Sequence, residues 1–154
     1  RGDVGQVEAV RAIDAVDHVV CPGFIDMHSH GGLIILGEPL YEPKVRQGIT
    51  TELIGIDGNS WAPFRSQEEL HRFIELDSGL NGVPPMPAEW CTVPELLAMY
   101  DNKVAVNMCY ILGNSPVRIW AVGWNDRPAT GAELENMKAK ERPFSINGKR
   151  IFLN

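Results

Sequence analysis

Two histidines one residue apart, His28 and His30, are the side chains of this sequence best suited by type and spacing to bind a metal ion. They follow an apolar run from Phe24 that predicts a short β-strand, on which alternate side chains, including that of Asp26, point to one face. Two imidazole nitrogens on one face can bind a divalent metal ion such as zinc. The spacing alone leaves open a second interpretation, a pair of hydrogen-bonded histidines with a structural role.

Asp57 is the candidate third ligand. It ends a second apolar run, GITTELIGIDG, and stands directly before Gly58. Parallel α/β folds bind ligands at the carboxyl ends of their strands, so we expect this carboxylate to approach the histidine pair. A turn residue of the Asx type explains the same Asp-Gly pair equally well. The remaining histidines, His18 and His71, are predicted to be surface residues rather than ligands.

A third apolar run, from Val104 to Gly113, is followed by the segment GNSPVR. The segment therefore belongs at the same predicted edge of the sheet. Arg118 could bind a substrate carboxylate through a bidentate contact, and a surface salt bridge is at least as consistent with its position. The sequence contains no nucleophile elbow, P-loop or dinucleotide-binding glycine pattern.

Helices are predicted between these strands from their start signals. Ser66, Thr92 and Thr130 each precede a glutamate by three residues, which is the capping-box pattern. A short helix is predicted over 43–47, and the proline-rich segment 81–90 is predicted to be a surface loop. This alternation of strands and helices predicts an α/β fold with parallel strands covered on both faces.

The composition is that of an ordinary globular domain. The chain has 154 residues, of which 44% are hydrophobic, and its formal net charge is -6. The negative charge argues against a nucleic-acid or anionic-membrane partner, and no apolar run or leader-like segment predicts a membrane span or secretion. We therefore expect a cytoplasmic protein, in which Cys21, Cys91 and Cys109 are reduced and mostly buried.

Three segments carry a resemblance to a known family: CPGFIDMHSHGG, RQGITTELIGIDGNSWAP and NSPVRIWAVGWNDRPATGAELENM. In this order they resemble the N-terminal part of the D-aminoacylases, the N-acyl-D-amino-acid deacylases of the amidohydrolase superfamily. The resemblance implies a partial TIM-like (β/α) barrel. Residues 1–20 would belong to an adjoining small β-sandwich, 21–138 to the first three or so strand–helix units, and 139–154 to a divergent tail of unknown role.

The resemblance also implies a site. His28 and His30 match the metal-binding pair of the family, and Asp57 stands where many members carry a metal-ligating cysteine. Asn114 stands where members tend to have a histidine, and with Arg118 it is a candidate substrate-binding residue. Zinc or another divalent metal would be the cofactor, and a small-molecule N-acyl-D-amino acid the substrate of amide hydrolysis. Gly32 occupies the place of an aspartate found in many superfamily members.

The later ligands and the general base of the family have no counterpart in these residues. The isolated chain is therefore predicted to be a truncated fragment with little or no activity, and one that can self-associate through an exposed sheet edge. The alternatives are a non-catalytic remnant that binds a metal ion or a partner chain, and a different amidohydrolase reaction such as cyclic-amide hydrolysis. A tight turn at Asn147–Gly148 is predicted between two short strand-like pieces of the tail.

Overall fold

Three short parallel strands form the sheet of the protein in the computed structural model, which describes residues 8–141, 145–146 and 149–150. The strands are β1 (Phe24–Asp26), β2 (Ile49–Ile54) and β3 (Asn107–Tyr110), and β2 lies in the middle. Because all three run in the same direction, their carboxyl ends meet at one edge of the sheet. The predicted α/β class with a parallel sheet is confirmed at this level.

Seven helices and a second small sheet accompany these strands in the described residues. The second sheet is an antiparallel pair, and the turn predicted at Asn147–Gly148 lies outside the described residues. None of the described helices has the length and apolar character that crossing a bilayer requires. The elements are α1 (Ile34–Gly37), α2 (Glu42–Val45), α3 (Gln67–Leu76), α4 (Ser78–Asn81), α5 (Val93–Tyr100), α6 (Asn114–Val122), α7 (Gly131–Glu141), β4 (Ser145–Ile146) and β5 (Lys149–Arg150).

The predicted helix starts at Thr92, Thr130 and Ser66 are confirmed. The Thr92 hydroxyl accepts a hydrogen bond from the Glu95 backbone, and the Glu95 carboxylate accepts one from the Thr92 backbone. Thr130 forms the same reciprocal pair with its glutamate, three residues further along the chain. The start of α3 is only half a capping box: the Ser66 hydroxyl accepts from the helix backbone, but the glutamate at the third position does not bond back to Ser66.

The hydrophobic core lies on one side of β2. Trp61, Phe73 and Trp90 pack there at exposures of 4% or less, and the Trp90 indole donates a hydrogen bond to the Trp61 carbonyl at 2.7 Å. Trp90 ends the segment that we predicted to be a surface loop. That prediction is wrong for part of the segment, because Asn81, Pro84, Ala88 and Trp90 are buried.

The predicted covering of the strands on both faces is wrong for β1 and is only partial for β2. Covering is complete on one face only: Glu52 and Ile54 on that face of β2 are fully buried and Leu53 on the other face is only partly buried, whereas Phe24 and Ile25 remain 59% and 60% exposed. Neither Phe24 nor Ile25 belongs to the core cluster or packs against it in the described part of the chain. The burial predicted for the cysteines is wrong too, since Cys109 on β3 is exposed and so is Cys21.

The strands are shorter than the apolar runs that predicted them. No strand is present in 8–23, although this segment ends in an apolar, β-branched run, and Val19 and Val20 are exposed. A β-branched run forms a strand only where a neighbouring strand supplies hydrogen-bond partners, and these residues have none in the described chain. Helices α1, α4 and α6 were not predicted; the first two have only four residues each, and α6 begins without a side-chain cap.

Candidate metal centre

The sheet edge brings His28, His30 and Asp57 together as the sequence predicted. A backbone hydrogen bond from Ser29 to Leu53 extends the pairing of β1 and β2 past the end of β1 and holds the histidine segment beside β2. The two Nε2 atoms lie 3.2 Å and 3.4 Å from the Asp57 Oδ2 atom, respectively.

These three side chains fit a divalent metal ion. All three donor atoms lie within 4.8 Å of one another, and both histidines present their Nε2 atoms to one carboxylate oxygen. A tetrahedral zinc site with metal–donor distances of about 2.0–2.2 Å places neighbouring donors roughly 3.3–3.6 Å apart. The nitrogen–oxygen separations agree with that spacing. Two neutral imidazoles and one carboxylate are also a ligand set that zinc prefers.

Asp57 is a turn residue as well as a candidate ligand, but the turn is closed by the backbone and not by the Asp57 side chain, as an Asx turn would be. Residues 56–59 form a turn closed by a hydrogen bond from the Asn59 nitrogen to the Ile56 oxygen. Asp57 and Gly58 both have positive φ angles, of 55° and 78°, which a turn of type I′ requires and which aspartate and glycine tolerate. The same left-handed backbone aims the Asp57 carboxylate at the histidine pair, so the turn residue and the candidate ligand are one residue.

Gly31 and Gly32 are required by packing rather than by a turn. Neither has a positive φ, and a Cβ on Gly31 would lie 1.7 Å from the Tyr41 hydroxyl. A Cβ on Gly32 would lie 3.0 Å from Ile54. A side chain at position 32 would therefore need Ile54 to shift by a few tenths of an ångström.

A network of polar and charged side chains around the buried Glu52 holds the backbone of the histidine segment, residues 28–30. The Ser29 hydroxyl donates to the Glu52 carboxylate at 2.8 Å and accepts from the Gly31 backbone at 3.0 Å. Glu52 is fully buried, and its second oxygen lies 2.9 Å from the Lys44 ammonium. Because Ser29 stands between the two histidines, these contacts fix the backbone of the candidate metal ligands.

Lys44 also forms a hydrogen-bonded ion pair with Asp26, whose other oxygen accepts from the His28 backbone at 3.1 Å. The hydrogen bond from Lys44 lowers the pKa of Asp26 most, and the His28 backbone adds to the effect. Burial alone would lower the pKa of Lys44, but its bonds to Asp26 and Glu52 outweigh burial and raise that pKa. The charged states of Asp26 and Lys44 are thereby favoured.

This network was not predicted from the sequence, although the sequence carries one signal for it. Glu52 is an acidic residue inside the apolar run of β2, where a charged side chain is not buried without a partner. The partner Lys44 lies on α2, which is too short for a sequence pattern to indicate which way its side chains point.

Asn81 is a second residue that the sequence analysis missed at the site. Its side-chain oxygen lies 3.0 Å from the Nδ1 atom of His30, and its amide nitrogen donates to the Asp77 carboxylate. Burial raises the pKa of Asp77, against an opposing effect of His30. No sequence signal marked Asn81, because it opens a proline-rich segment in which asparagine is a common turn residue.

The candidate substrate residues Asn114 and Arg118 lie on α6, next to the turn that carries Asp57. The backbone nitrogen of Ser115 donates to the Gly58 oxygen at 2.9 Å. Asn114 and Arg118 line a cavity of about 440 Å³, and Asp77 is among the other residues that line it.

Arg118 is fixed by its neighbours in the loop that follows α6. Its Nη2 atom donates to the backbone oxygens of Asn125 and Arg127, at 3.0 Å and 2.6 Å. No ion pair with Arg118 occurs among the residues that the structure describes, so the salt bridge considered as the alternative is not observed there.

The other two histidines lie away from the cluster, as predicted. His18 is exposed and contacts the Val16 carbonyl through Nδ1. His71 lies on α3, where its Nε2 atom contacts the Ala88 carbonyl at 2.9 Å. Neither belongs to a group of three potential metal ligands in the described part of the chain.

Comparison with known proteins was made at the levels of sequence and structure. No family model matches the chain. The N-acyl-D-glutamate deacylase of Alcaligenes xylosoxydans xylosoxydans is 44% identical to it over 146 residues, which is 92% of this chain and 27% of the relative. The N-acyl-D-aspartate deacylase of the same organism is 34% identical over 139 residues, covering 90% of this chain and 27% of that protein.

The fold agrees with this relationship. The crystal structure of N-acyl-D-glutamate deacylase from Bordetella bronchiseptica, in complex with zinc and a phosphonate inhibitor, matches 92% of this chain and 29% of its own, with a TM-score of 0.73 and 28% identity. The chain matches the N-terminal part of the D-aminoacylase family.

A crystal structure of a D-aminoacylase, described as defining a novel subset of amidohydrolases, matches 90% of this chain at a TM-score of 0.71 and 31% identity. Another D-aminoacylase structure concerns the role of a binuclear metal centre in that enzyme. The chain spans about 27% of the length of the first curated D-aminoacylase relatives. The resemblance stated from the three sequence segments is thus confirmed.

Proposed function

We propose that this chain contributes part of the metal centre of a metal-dependent amidohydrolase that cleaves the amide bond of N-acyl-D-amino acids. The observation that carries the proposal is the convergence of His28, His30 and Asp57 at donor spacings that suit one zinc ion. Its second support is that the related proteins are named as deacylases of N-acyl-D-amino acids.

The three ligands come from two neighbouring strand ends. His28 and His30 would bind the metal through Nε2, and Asp57 through Oδ2, which already points between them. A bound divalent ion at such a site polarises an acyl carbonyl and makes a bound water more acidic. Zinc is the first choice, since a related deacylase was crystallised with zinc.

Asn114 and Arg118 are proposed to bind the substrate. An N-acyl-D-amino acid carries an α-carboxylate, and a guanidinium binds a carboxylate through two parallel hydrogen bonds. The contacts of Arg118 with backbone oxygens use its Nη2 atom, so the donors on Nη1 and Nε are the ones proposed for the carboxylate. Asn114 stands at the start of α6 in the same cavity wall and would donate to the acyl group or the carboxylate.

The domain assignment is part of the proposal. The sequential parallel order of β1, β2 and β3, each followed by helices, suits the first three units of a (β/α) barrel over 21–138. Residues 1–20 are proposed to belong to a neighbouring β-sandwich, as the family resemblance implies. No role is proposed for 139–154.

The described residues bring three ligands together, whereas barrel enzymes assemble their sites from the ends of several strands. In the described residues the one carboxylate of the cluster is Asp57, and as a ligand it is not available as a general base. We therefore propose that the 154-residue polypeptide binds metal by itself and hydrolyses N-acyl-D-amino acids little or not at all.

The test measures both properties on the same preparation. Zinc binding is followed by competition with a chromophoric chelator, and hydrolysis of N-acetyl-D-glutamate and other N-acetyl-D-amino acids is assayed with added zinc. The variant His28→Ala/His30→Ala should lose zinc binding, whereas His18→Ala should keep it, because His18 lies outside the cluster. Unchanged zinc binding in the double variant would refute the metal centre, and rapid turnover by the unmodified chain would refute the predicted lack of activity.

A second candidate function is that of a metal-binding chain without catalysis that associates through its sheet edge. The exposed side chains of Phe24, Ile25 and Met27 favour this candidate, since each is 59% to 64% exposed next to the metal ligands. Concentration-dependent association distinguishes it from a monomeric metal-binding chain.

A further inference from the structure

The two histidines of the candidate metal centre differ in how they are held. The side chain of His28 is 63% exposed, whereas that of His30 is 28% exposed. The Nδ1 atom of His30 lies 3.0 Å from the side-chain oxygen of Asn81, which is itself only 5% exposed. The second nitrogen of His30 therefore meets a buried polar partner on the side opposite to Asp57.

The Asp77 carboxylate decides which end of the Asn81 amide faces His30. An ionised carboxylate can only accept hydrogen bonds, so the amide nitrogen of Asn81 must be the atom that faces Asp77. The amide oxygen is then left for His30, and an oxygen can only accept the Nδ1 proton. A neutral imidazole with its proton on Nδ1 has its lone pair on Nε2, the atom that lies 3.4 Å from Asp57.

We propose that Asn81, oriented by Asp77, is a positioning residue that fixes the tautomer and ring orientation of His30 for metal binding through Nε2. The inference rests on the proposed metal centre and adds to it two residues that make no contact with the ion. When a metal-binding histidine donates a hydrogen bond from the ring nitrogen that does not bind the metal, the ring is fixed in place and the metal-binding nitrogen becomes a better ligand.

Asn81 is held in place by backbone hydrogen bonds and by close packing around it. Asp77 follows the last residue of α3, and its backbone nitrogen donates to the Phe73 oxygen in the core at 3.0 Å. The Asn81 backbone donates back to the Asp77 oxygen at 3.1 Å, so the two side chains stand one helical turn apart, with Asp77 directly before α4 and Asn81 at its end. The next residue, Gly82, has a φ of 69°, and a Cβ there would lie 2.9 Å from Ile34. The close packing of this turn limits how far Asn81 can move.

The first test reads the tautomer directly in the metal-free chain. The side-chain nitrogen chemical shifts of His30 are measured by NMR at about pH 8, where an ordinary imidazole is neutral, and are assigned by their loss in His30→Gln. We expect the proton to reside on Nδ1. In Asp77→Asn the amide of Asn81 loses its fixed orientation, so a population without a proton on Nδ1 should appear. A His30 without a proton on Nδ1 in the unmodified chain, or an Nδ1 proton that is unaffected in Asp77→Asn, would overturn the proposal.

The second test measures zinc affinity in Asn81→Leu, which keeps the size of the side chain and removes both hydrogen bonds. We expect its zinc dissociation constant to rise by about 10- to 100-fold, as for other residues that hold a metal-binding histidine. Asn107→Leu is the matched control, since it loses one asparagine hydrogen bond, to the Thr50 oxygen, at the opposite end of the sheet.

The outcomes of the two tests separate this inference from the proposed function. If the unmodified chain binds zinc and Asn81→Leu binds it with equal affinity, the role of Asn81 is refuted and the metal centre stands. If the unmodified chain binds no zinc, the metal centre is refuted, while the tautomer measurement still decides whether Asn81 and Asp77 set the protonation of His30. If a variant fails to fold, the protonation of His30 measured in the unmodified chain still tests the proposal.

Discussion

At the scale of single residues, the charges beneath the candidate ligands determine how firmly the histidine segment is held. Glu52 has no exposure to water, and burying an unpaired carboxylate is costly. Lys44 supplies the compensating charge and also binds Asp26, so one ammonium stabilises carboxylates on two strands. Ser29, which lies between the two histidines, donates a hydrogen bond to the same Glu52. This bond links the stability of the network to the geometry of the metal ligands.

Replacing Lys44 by methionine should destabilise the protein, because it leaves Glu52 buried without a counter-charge. We expect the free energy of unfolding to fall by on the order of 3 kcal/mol, as when one partner of a buried ion pair is removed. Urea denaturation at neutral pH measures the change. The control is Arg46→Met on the same helical turn, which breaks the exposed pair with Glu42 and should cost less than about 1 kcal/mol.

The same variant has a pH signature. The folded state lowers the pKa of Asp26 from its ordinary 3.8, so this group contributes stability above that value, and the contribution is lost as the pH falls through the lower, folded-state pKa. The difference in unfolding free energy between the unmodified chain and Lys44→Met should therefore narrow as the pH falls below 3.8. A constant difference across the acid range would show that the bond between Lys44 and Asp26 contributes nothing.

At the scale of elements, the sequence predicted the parts whose structure depends on local chemistry. The helix starts at Thr92 and Thr130 follow from hydrogen bonds within four residues, and both are present. The clustering of Asp57 with the histidines was also predictable, because the carboxyl ends of parallel strands share one edge.

The parts that the sequence did not predict depend on contacts between distant segments. Lys44 and Asn81 reach the site from elements of only four residues, which carry no periodic pattern. Their partners, Glu52 and His30, lie 8 and 51 positions away along the chain, and no local rule connects them. The need for Gly31 likewise comes from Tyr41, whose hydroxyl occupies the space that a Cβ would take.

The cap of α5 offers a test of the local chemistry. In Thr92→Ala the helix loses the side-chain acceptor for the Glu95 nitrogen, and we expect the free energy of unfolding to fall by about 1 kcal/mol. Leu96 and Tyr100 of this helix are buried in the core, so the loss of stability should appear in the global unfolding transition. Thr92→Ser keeps the hydroxyl and should stay close to the unmodified chain in thermal denaturation. Equal losses in both variants would assign the effect to the threonine methyl group.

At the scale of the whole molecule, the sheet is covered unevenly. The core packs against β2, while Phe24 and Ile25 on β1 and Met27 directly after it are exposed to water. Contiguous apolar side chains on an edge strand favour pairing with another chain, and β1 has no neighbour on its outer side in the described residues.

The exposed strand therefore predicts self-association of the isolated chain. Sedimentation velocity should show the average mass rising with protein concentration, and Ile25→Lys should shift the association to higher concentration, because a charge would be buried between two edges. Val10→Lys places the same charge on an exposed side chain in a segment without strands and should leave the association unchanged. A monomer at all concentrations would contradict the prediction. A monomer in which Asn81 still controls the tautomer of His30 would show that the metal-ligand geometry is built within one chain, independently of what covers the sheet.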